Sequence, residues 1–284
     1  MTKIDIDRHV EQVIEDGYTM IHDVFPADEI EATKRAIDEC LDSEREIATK
    51  YGLQDENLQM CMNAQGKHRH FYGLALRYPE PVEIIRRVLG DDMFAHDVTI
   101  RKPLPTGRKD WTRKGGNLHA DWADFTVKPF VGGKHYPVAV QSAWAISDFT
   151  ERTGATYLWP GTHLRNEIPP EEPETLPTGY IRAEAPAGSV ILWDSALWHT
   201  SGANFSESPR YSLVYYFHRC WLKGFNDSYR LVAPEIRQEM TLEERTFWGL
   251  EPKVPPNTHF RDMTQEQIES LTPEEKAVLN IAFF

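Results

Sequence analysis

Between residues 94 and 220 the sequence breaks into short runs of β-branched and aromatic residues. HDVTIRK, NLHADW, PVAVQSAWAISDF, ATYLWP, GSVILWD and RYSLVYYFHRC are separated by Gly, Pro, Asn and Asp. Runs this short, so punctuated, suggest an antiparallel sandwich or barrel. The flanks read differently. IDRHVEQVIEDGY has helical spacing of Ile and Val and stops at Gly17; YTMIHDVF is extended. Pro26 then opens ADEIEATKRAIDECLDSE, where Ile30, Ile37 and Leu41 recur at helical intervals with Thr33 on the same face. PVEIIRRVLG is a further helix, ended by Gly90. Near the C-terminus TLEE at Thr241 and TPEE at Thr272 are capping-box signatures. The expected architecture is mainly β with flanking helices: a single domain with a helical part over residues 1–93, a β-core over 94–220 and a helical extension over 221–284.

A chain of 284 residues can bury one substantial core. Its formal charge of −13 argues against a nucleic-acid partner, whose backbone needs a positive footprint. One stretch runs against that balance: RKPLPTGRKDWTRKGG, from Arg101 to Gly116, holds six basic residues and one acid. The three cysteines are widely spaced with no CxxC pair, so neither a disulfide framework nor a zinc finger is indicated. The polar, acidic start lacks a signal-peptide core, and no run reaches the ~18 apolar residues of a membrane span. The expectation is a cytoplasmic protein with no membrane partner.

Chemistry enters at NLHADW. In a strand, residues two apart share a face, so His119 and Asp121 can address one metal while Ala120 turns away. A second imidazole is needed, and WDSALWHTSGAN supplies His199 after the strand GSVILWD. Two His and one carboxylate on one face leave three coordination positions open, which suits non-haem iron(II) oxygen chemistry. The same donors with a water also suit zinc, so a zinc hydrolase and a non-catalytic, cupin-like metal-binding protein stand as alternatives. Arg210 follows His199 by eleven residues at the head of the next strand. A hairpin between them would bring its guanidinium back to the metal face, where it can grip a carboxylate in a forked way.

With these residues in hand, the chain resembles the phytanoyl-CoA dioxygenase family of iron(II)/2-oxoglutarate oxygenases. The family's HxD is similar to His119 and Asp121, and its distal segment H-x-S-G-x-N-x-S-x-x-x-R is similar to HTSGANFSESPR, from His199 to Arg210. GATYLWPGTH, from Gly154 to His163, resembles the turn before the distal His. DGYTMIHDVFPADEIEATKRAID resembles the family's opening. The resemblance implies a double-stranded β-helix, or jelly roll. It implies iron(II) held by His119, Asp121 and His199, 2-oxoglutarate as co-substrate, and oxidation of a small molecule by dioxygen. Hydroxylation, desaturation or oxidative rearrangement would release succinate and carbon dioxide. Arg210 would bind the far carboxylate of 2-oxoglutarate, with Ser201 as a second donor. Asn117 and Lys102 would also reach the co-substrate, and Trp144 and Thr156 would line its pocket. His163 would steady the turn rather than bind metal.

The substrate is less legible. Trp122, Asp124 and Phe125 follow the HxD directly and are expected at the pocket mouth, as is Trp221. The segment NAQGKHRHFYG offers His68, His70, Phe71 and Tyr72 as a lid. The basic stretch before the HxD, with Arg108, Lys109, Arg113 and Lys114, would attract an anionic substrate.

Overall fold

The computed structural model describes residues 4–51, 57–107, 118–121, 130–131, 134–165, 167–170, 175–222, 227–250 and 264–278. Helix α1 (Ile6–Glu15) starts at Asp5, whose carboxylate accepts from the Arg8 amide at 3.2 Å. It ends before Gly17, which takes a left-handed φ of +88°. After strand β1 (Tyr18–Ile21), helix α2 (Ala27–Lys50) turns Thr33, Ala36, Ile37 and Cys40 inward. It runs six residues past the expected end, because REIATK contains nothing that breaks a helix.

Strand β2 (Leu58–Cys61) follows, with no counterpart in the sequence reading. LQMC has no β-branched or aromatic residue; its main-chain pairing to the outer end of β3 (Met93–Pro103) holds it extended. Between them lie two single-turn helices, α3 (Arg69–Tyr72) and α4 (Leu74–Arg77), and α5 (Pro79–Leu89), begun by Pro and ended by Gly90 at φ +102°. The β region continues with β4 (Phe130–Val131), β5 (Lys134–His135), β6 (Ala139–Ala145), β7 (Tyr157–Leu158), β8 (Ile181–Arg182), β9 (Val190–Asp194), β10 (His199–Thr200) and β11 (Ser212–Arg219).

Six strands form one antiparallel sheet in the order β1-β9-β6-β11-β3-β2, and β10-β7-β8 form a smaller one. The fold is a jelly roll, and the pleat of its large sheet separates two environments. On one face Leu213, Tyr215 and Phe217 of β11 join Val140 and Trp144 of β6, Val190 and Leu192 of β9, and the inner sides of α1, α2 and α5 in the main core. On the other, Val214, Ala143, Ile191 and Trp193 meet Leu158, Ala155 and Leu197 from the small-sheet side. A site between the sheets can therefore be built only from alternate residues of each strand.

The C-terminal part closes the main core. Helices α6 (Ser228–Leu231), α7 (Pro234–Glu239) and α8 (Leu242–Phe247) bring in Val232, Met240, Phe247 and Trp248, and the Trp248 indole donates to the Tyr72 carbonyl at 2.7 Å. The capping box at Thr241 forms, and Thr272 and Glu275 exchange the same pair of bonds at α10 (Pro273–Val278), after α9 (Gln265–Glu269). Among the described residues no helix is long and apolar enough to cross a membrane.

The main sheet also buries a titratable pair. His96 of β3 and His218 of β11 lie ring to ring at 5.0 Å and are almost wholly buried. Burial, with His218 adding repulsion, pushes His96 down to about 4, and burial lowers His218 as well. The unfolded chain therefore binds protons near pH 6.5 that the folded chain refuses, and the favourable contribution is complete only above that pH. Stability should fall as pH drops from 6.5 towards 4, by on the order of 3 kcal/mol from His96. Urea midpoints measured across this range should show a shallower acid loss in His96→Gln than in the wild type; parallel curves would remove His96 from the account.

Candidate metal centre and co-substrate pocket

The site begins with a main-chain event. His119 and His199 form an antiparallel bridge in which each amide donates to the other's carbonyl, at 3.0 and 2.8 Å. Directly opposed residues share a face, so the two imidazoles stand side by side with ring centroids 4.2 Å apart. Asp121, two residues along, completes the group. Its Oδ1 is 3.6 Å from His119 Nε2 and its Oδ2 is 3.4 Å from His199 Nε2. One ligand atom from each of the three lies within 4.8 Å of the others, and among the described residues no second cluster of three such side chains does so.

The surroundings prepare these donors. His199 Nδ1 lies 2.9 Å from the Leu197 carbonyl, which fixes the tautomer that presents the Nε2 lone pair. Burial, followed by the nearby His119, holds His199 well below the usual imidazole range, so at neutral pH it is an uncharged ligand. Burial pushes the Asp121 carboxyl up to about 6, against the opposing charges of His119 and Arg101. The Gln141 amide donates to Asp121 Oδ2 and orients it. A partly buried carboxylate between two imidazoles is what a divalent cation would stabilise; the donor set is oxygen and nitrogen, with no sulfur.

Arg210 lies in the same cavity, of about 470 Å³ with its mouth included, which is lined also by Arg101, Gln141, Thr156, Trp193, Ser201 and Tyr216. Its side chain is 3% exposed, packs over the Phe149 ring at 4.3 Å and donates to the Gly154 carbonyl. That carbonyl is positioned by a glycine no other residue could replace. Gly154 has φ +81°, and a Cβ there would stand 2.5 Å from the Gly202 carbonyl oxygen. Arg210 Nε is buried without a hydrogen-bond partner among the described residues. Burial, and then repulsion from Arg101, push the guanidinium down to about 9. A buried cation that no carboxylate among the described residues answers is a costly arrangement unless an anionic ligand completes it.

The structure sorts the other residues singled out from sequence. Thr156 and Ser201 line the cavity. Trp144 does not: on β6 it alternates with the cavity-facing Gln141 and Ala143, and it stacks on Phe25 in the main core at 5.6 Å. Lys102 is displaced for the same reason, one residue out of phase with Arg101; its ammonium is 2.7 Å from Asp38 Oδ1 and lies over the Tyr211 ring. Phe71 and Tyr72 are core residues rather than a lid, 0% and 5% exposed. Trp221 projects to the surface, 59% exposed. Asn117, Trp122, Asp124, Phe125 and the basic residues Arg108, Lys109, Arg113 and Lys114 lie outside the described residues. His163 ties the turn to α1, its Nε2 3.0 Å from the Ile14 carbonyl.

Sequence reading missed Gln141, Tyr216, Trp193 and Arg101. Strand phase was the available signal: counting by twos along β11 from Ser212 reaches Val214 and Tyr216, and Tyr216 is registered against Gln141. The reassignment of Trp144 has a direct test. Trp144→Ala should cost ~3–5 kcal/mol of stability, as for other buried aromatic truncations, yet leave the affinity of the metal-loaded protein for 2-oxoglutarate within about twofold. A selective loss of that affinity, with stability intact, would return Trp144 to the pocket.

The sequence model of the phytanoyl-CoA dioxygenase family matches residues 13–212. Among curated proteins, the uncharacterized protein Rv1501 of Mycobacterium tuberculosis is 25% identical over 248 residues, covering 85% of each chain. The dioxygenase af480 of Aspergillus fumigatus is 24% identical over 143 residues, 49% of this chain and 42% of that protein. Among solved structures, the epimerase SnoN in complex with Fe3+, alpha-ketoglutarate and nogalamycin RO superposes with a TM-score of 0.58 at 17% identity, covering 75% of this chain and 83% of that one. HygX from Streptomyces hygroscopicus, with nickel and 2-oxoglutarate bound, gives a TM-score of 0.57 at 14% identity, covering 77% and 89%. These structural likenesses establish a common fold.

Proposed function

The chain belongs to the phytanoyl-CoA dioxygenase family, and we propose that it is an iron(II)- and 2-oxoglutarate-dependent oxygenase using His119, Asp121 and His199 as metal ligands and Arg210 as the co-substrate clamp. The observation that carries the role of Arg210 is its buried, unanswered guanidinium in the same cavity as the three ligands. A passive metal-binding protein or a zinc hydrolase has no use for a carboxylate clamp there.

When bound, the iron supplies the oxygen activation that couples decarboxylation of 2-oxoglutarate to succinate and carbon dioxide with oxidation of a small-molecule substrate. The protein's own share is positioning and exclusion of water. His199 stays neutral and oriented through the Leu197 carbonyl, and Gln141 holds Asp121 in register with both imidazoles. Arg210 fixes the far end of the co-substrate by forked hydrogen bonds, with Ser201 and Thr156 as hydroxyl neighbours. Trp193, Phe149 and Val214 give the cavity apolar walls, which strengthen these polar contacts by lowering the local dielectric.

The test is conversion of 2-oxoglutarate to succinate by purified protein with iron(II) and air, with and without a metabolite panel. Succinate release that requires both iron and oxygen supports the reading. Metal-dependent hydrolysis without consumption of 2-oxoglutarate would replace it with the zinc alternative.

A further inference from the structure

Arg101 and Lys102 are adjacent on β3, and the pleat sends them to opposite faces. Lys102 is answered by Asp38. Arg101 instead lines the cavity; its side chain hydrogen-bonds Tyr216 and its charge is felt by Asp121, but among the described residues its buried Nε has no hydrogen-bond partner and no carboxylate forms an ion pair with it. Its backbone is fixed: the Arg101 carbonyl accepts from Ser212 Oγ at 2.9 Å, and Arg101 and Ser212 are registered partners across β3 and β11. The cavity thus holds two guanidiniums, and Arg101 is close enough to Arg210 for their charges to repel.

Charge balance separates their tasks. On the reading above, the metal and the two arginines bring four positive charges. Asp121 and the co-substrate dianion bring three negative ones. Arg210, against Phe149 and Gly154, takes the far carboxylate; Arg101 is left as one uncompensated cation facing the remaining space. This positive cavity sits in a chain of net charge −13, so it does not follow from a generally basic surface.

We propose that Arg101 anchors an anionic group of the small-molecule substrate, a carboxylate or a phosphate, beside the metal centre. The inference rests on the oxygenase reading and extends it to a substrate class. Tyr216 and Gln141, opposed across β11 and β6, supply neutral polar groups on the same wall. A neutral isostere would leave the positive charge of the guanidinium unanswered, so the site discriminates by charge rather than by shape alone.

The test uses protein loaded with Mn(II) and 2-oxoglutarate, and probes whose methyl NMR signals broaden when they sit near the bound metal. Acetate represents a carboxylate, methylphosphonate a phosphate, and acetamide is the neutral control. Wild type should broaden one or both anions at least fivefold more than acetamide, and which anion responds identifies the substrate's group. Arg101→Gln should lose at least four-fifths of that broadening, while Arg101→Lys keeps most of it. The affinity of Arg101→Gln for 2-oxoglutarate should fall less than tenfold. Equal broadening in Arg101→Gln, or none specific to anions in wild type, overturns the inference. So does a loss of 2-oxoglutarate affinity in Arg101→Gln as large as in Arg210→Ala, which would assign Arg101 to the co-substrate. None of these touches the oxygenase reading; wild type that binds no 2-oxoglutarate would instead overturn that reading, and the inference with it.

Discussion

Arg210→Ala should weaken 2-oxoglutarate binding by two to four decades while the metal still binds. Removing one partner of a desolvated, hydrogen-bonded charge pair typically costs ~3–5 kcal/mol, which is that range in affinity. Arg210 meets the condition: it is 3% exposed, and its Nε has no hydrogen-bond partner among the described residues, leaving donor capacity for a ligand. Arg210→Lys should recover only part of the loss, since an ammonium has the charge but not the fork. The substitution to Ala also strands the Gly154 carbonyl, so a stability loss of about 1–3 kcal/mol should accompany it. Calorimetric titration of 2-oxoglutarate into Ni(II)-loaded protein separates the two effects. An unchanged affinity in Arg210→Ala would end its assignment as the clamp.

The second large effect belongs to the ligands. His119→Ala, Asp121→Asn and His199→Ala should each abolish turnover and lower metal affinity by more than the 10–100-fold typical of losing an outer-shell partner. The fold should persist in the two His variants, because the bridge between residues 119 and 199 is made by main-chain atoms. Gln141→Ala provides the graded control. It removes only the amide that orients Asp121, so a loss of about 10–100-fold in metal affinity is expected, with turnover reduced rather than abolished. A His199→Ala protein with wild-type metal affinity and turnover would show that the cluster does not hold the working metal.

What the sequence made legible follows from how each signal is encoded. The β-core was readable because its strands are rich in β-branched and aromatic residues and are separated by turn residues, and the jelly-roll topology came from the family resemblance; β2 was not readable, because LQMC becomes a strand only through its partner β3. The ligand cluster was readable because HxD spacing is a local consequence of the pleat, and the segment from His199 to Arg210 stays close in sequence. The pocket walls were harder. Lys102 and Trp144 come from the family resemblance, but a shift of one residue in strand phase moves a side chain from the cavity to the opposite face. Arg101 in place of Lys102, and Ala143 in place of Trp144, are that shift. Phe71 and Tyr72 looked available because they sit in a polar segment, yet the C-terminal helices cover them, and no local pattern announces a contact 176 residues away.

The most direct measurement of the central claim is the visible absorption of anaerobic protein titrated with iron(II) and then 2-oxoglutarate. Chelation of the 2-oxo acid by iron in this site should produce a weak charge-transfer band that saturates with one co-substrate per protein. The band should be absent without 2-oxoglutarate and lost in His199→Ala, and in Arg210→Ala it should saturate only at far higher co-substrate concentration. Iron binding with no such band at saturating 2-oxoglutarate would contradict the account and leave the cluster as a metal site of another kind.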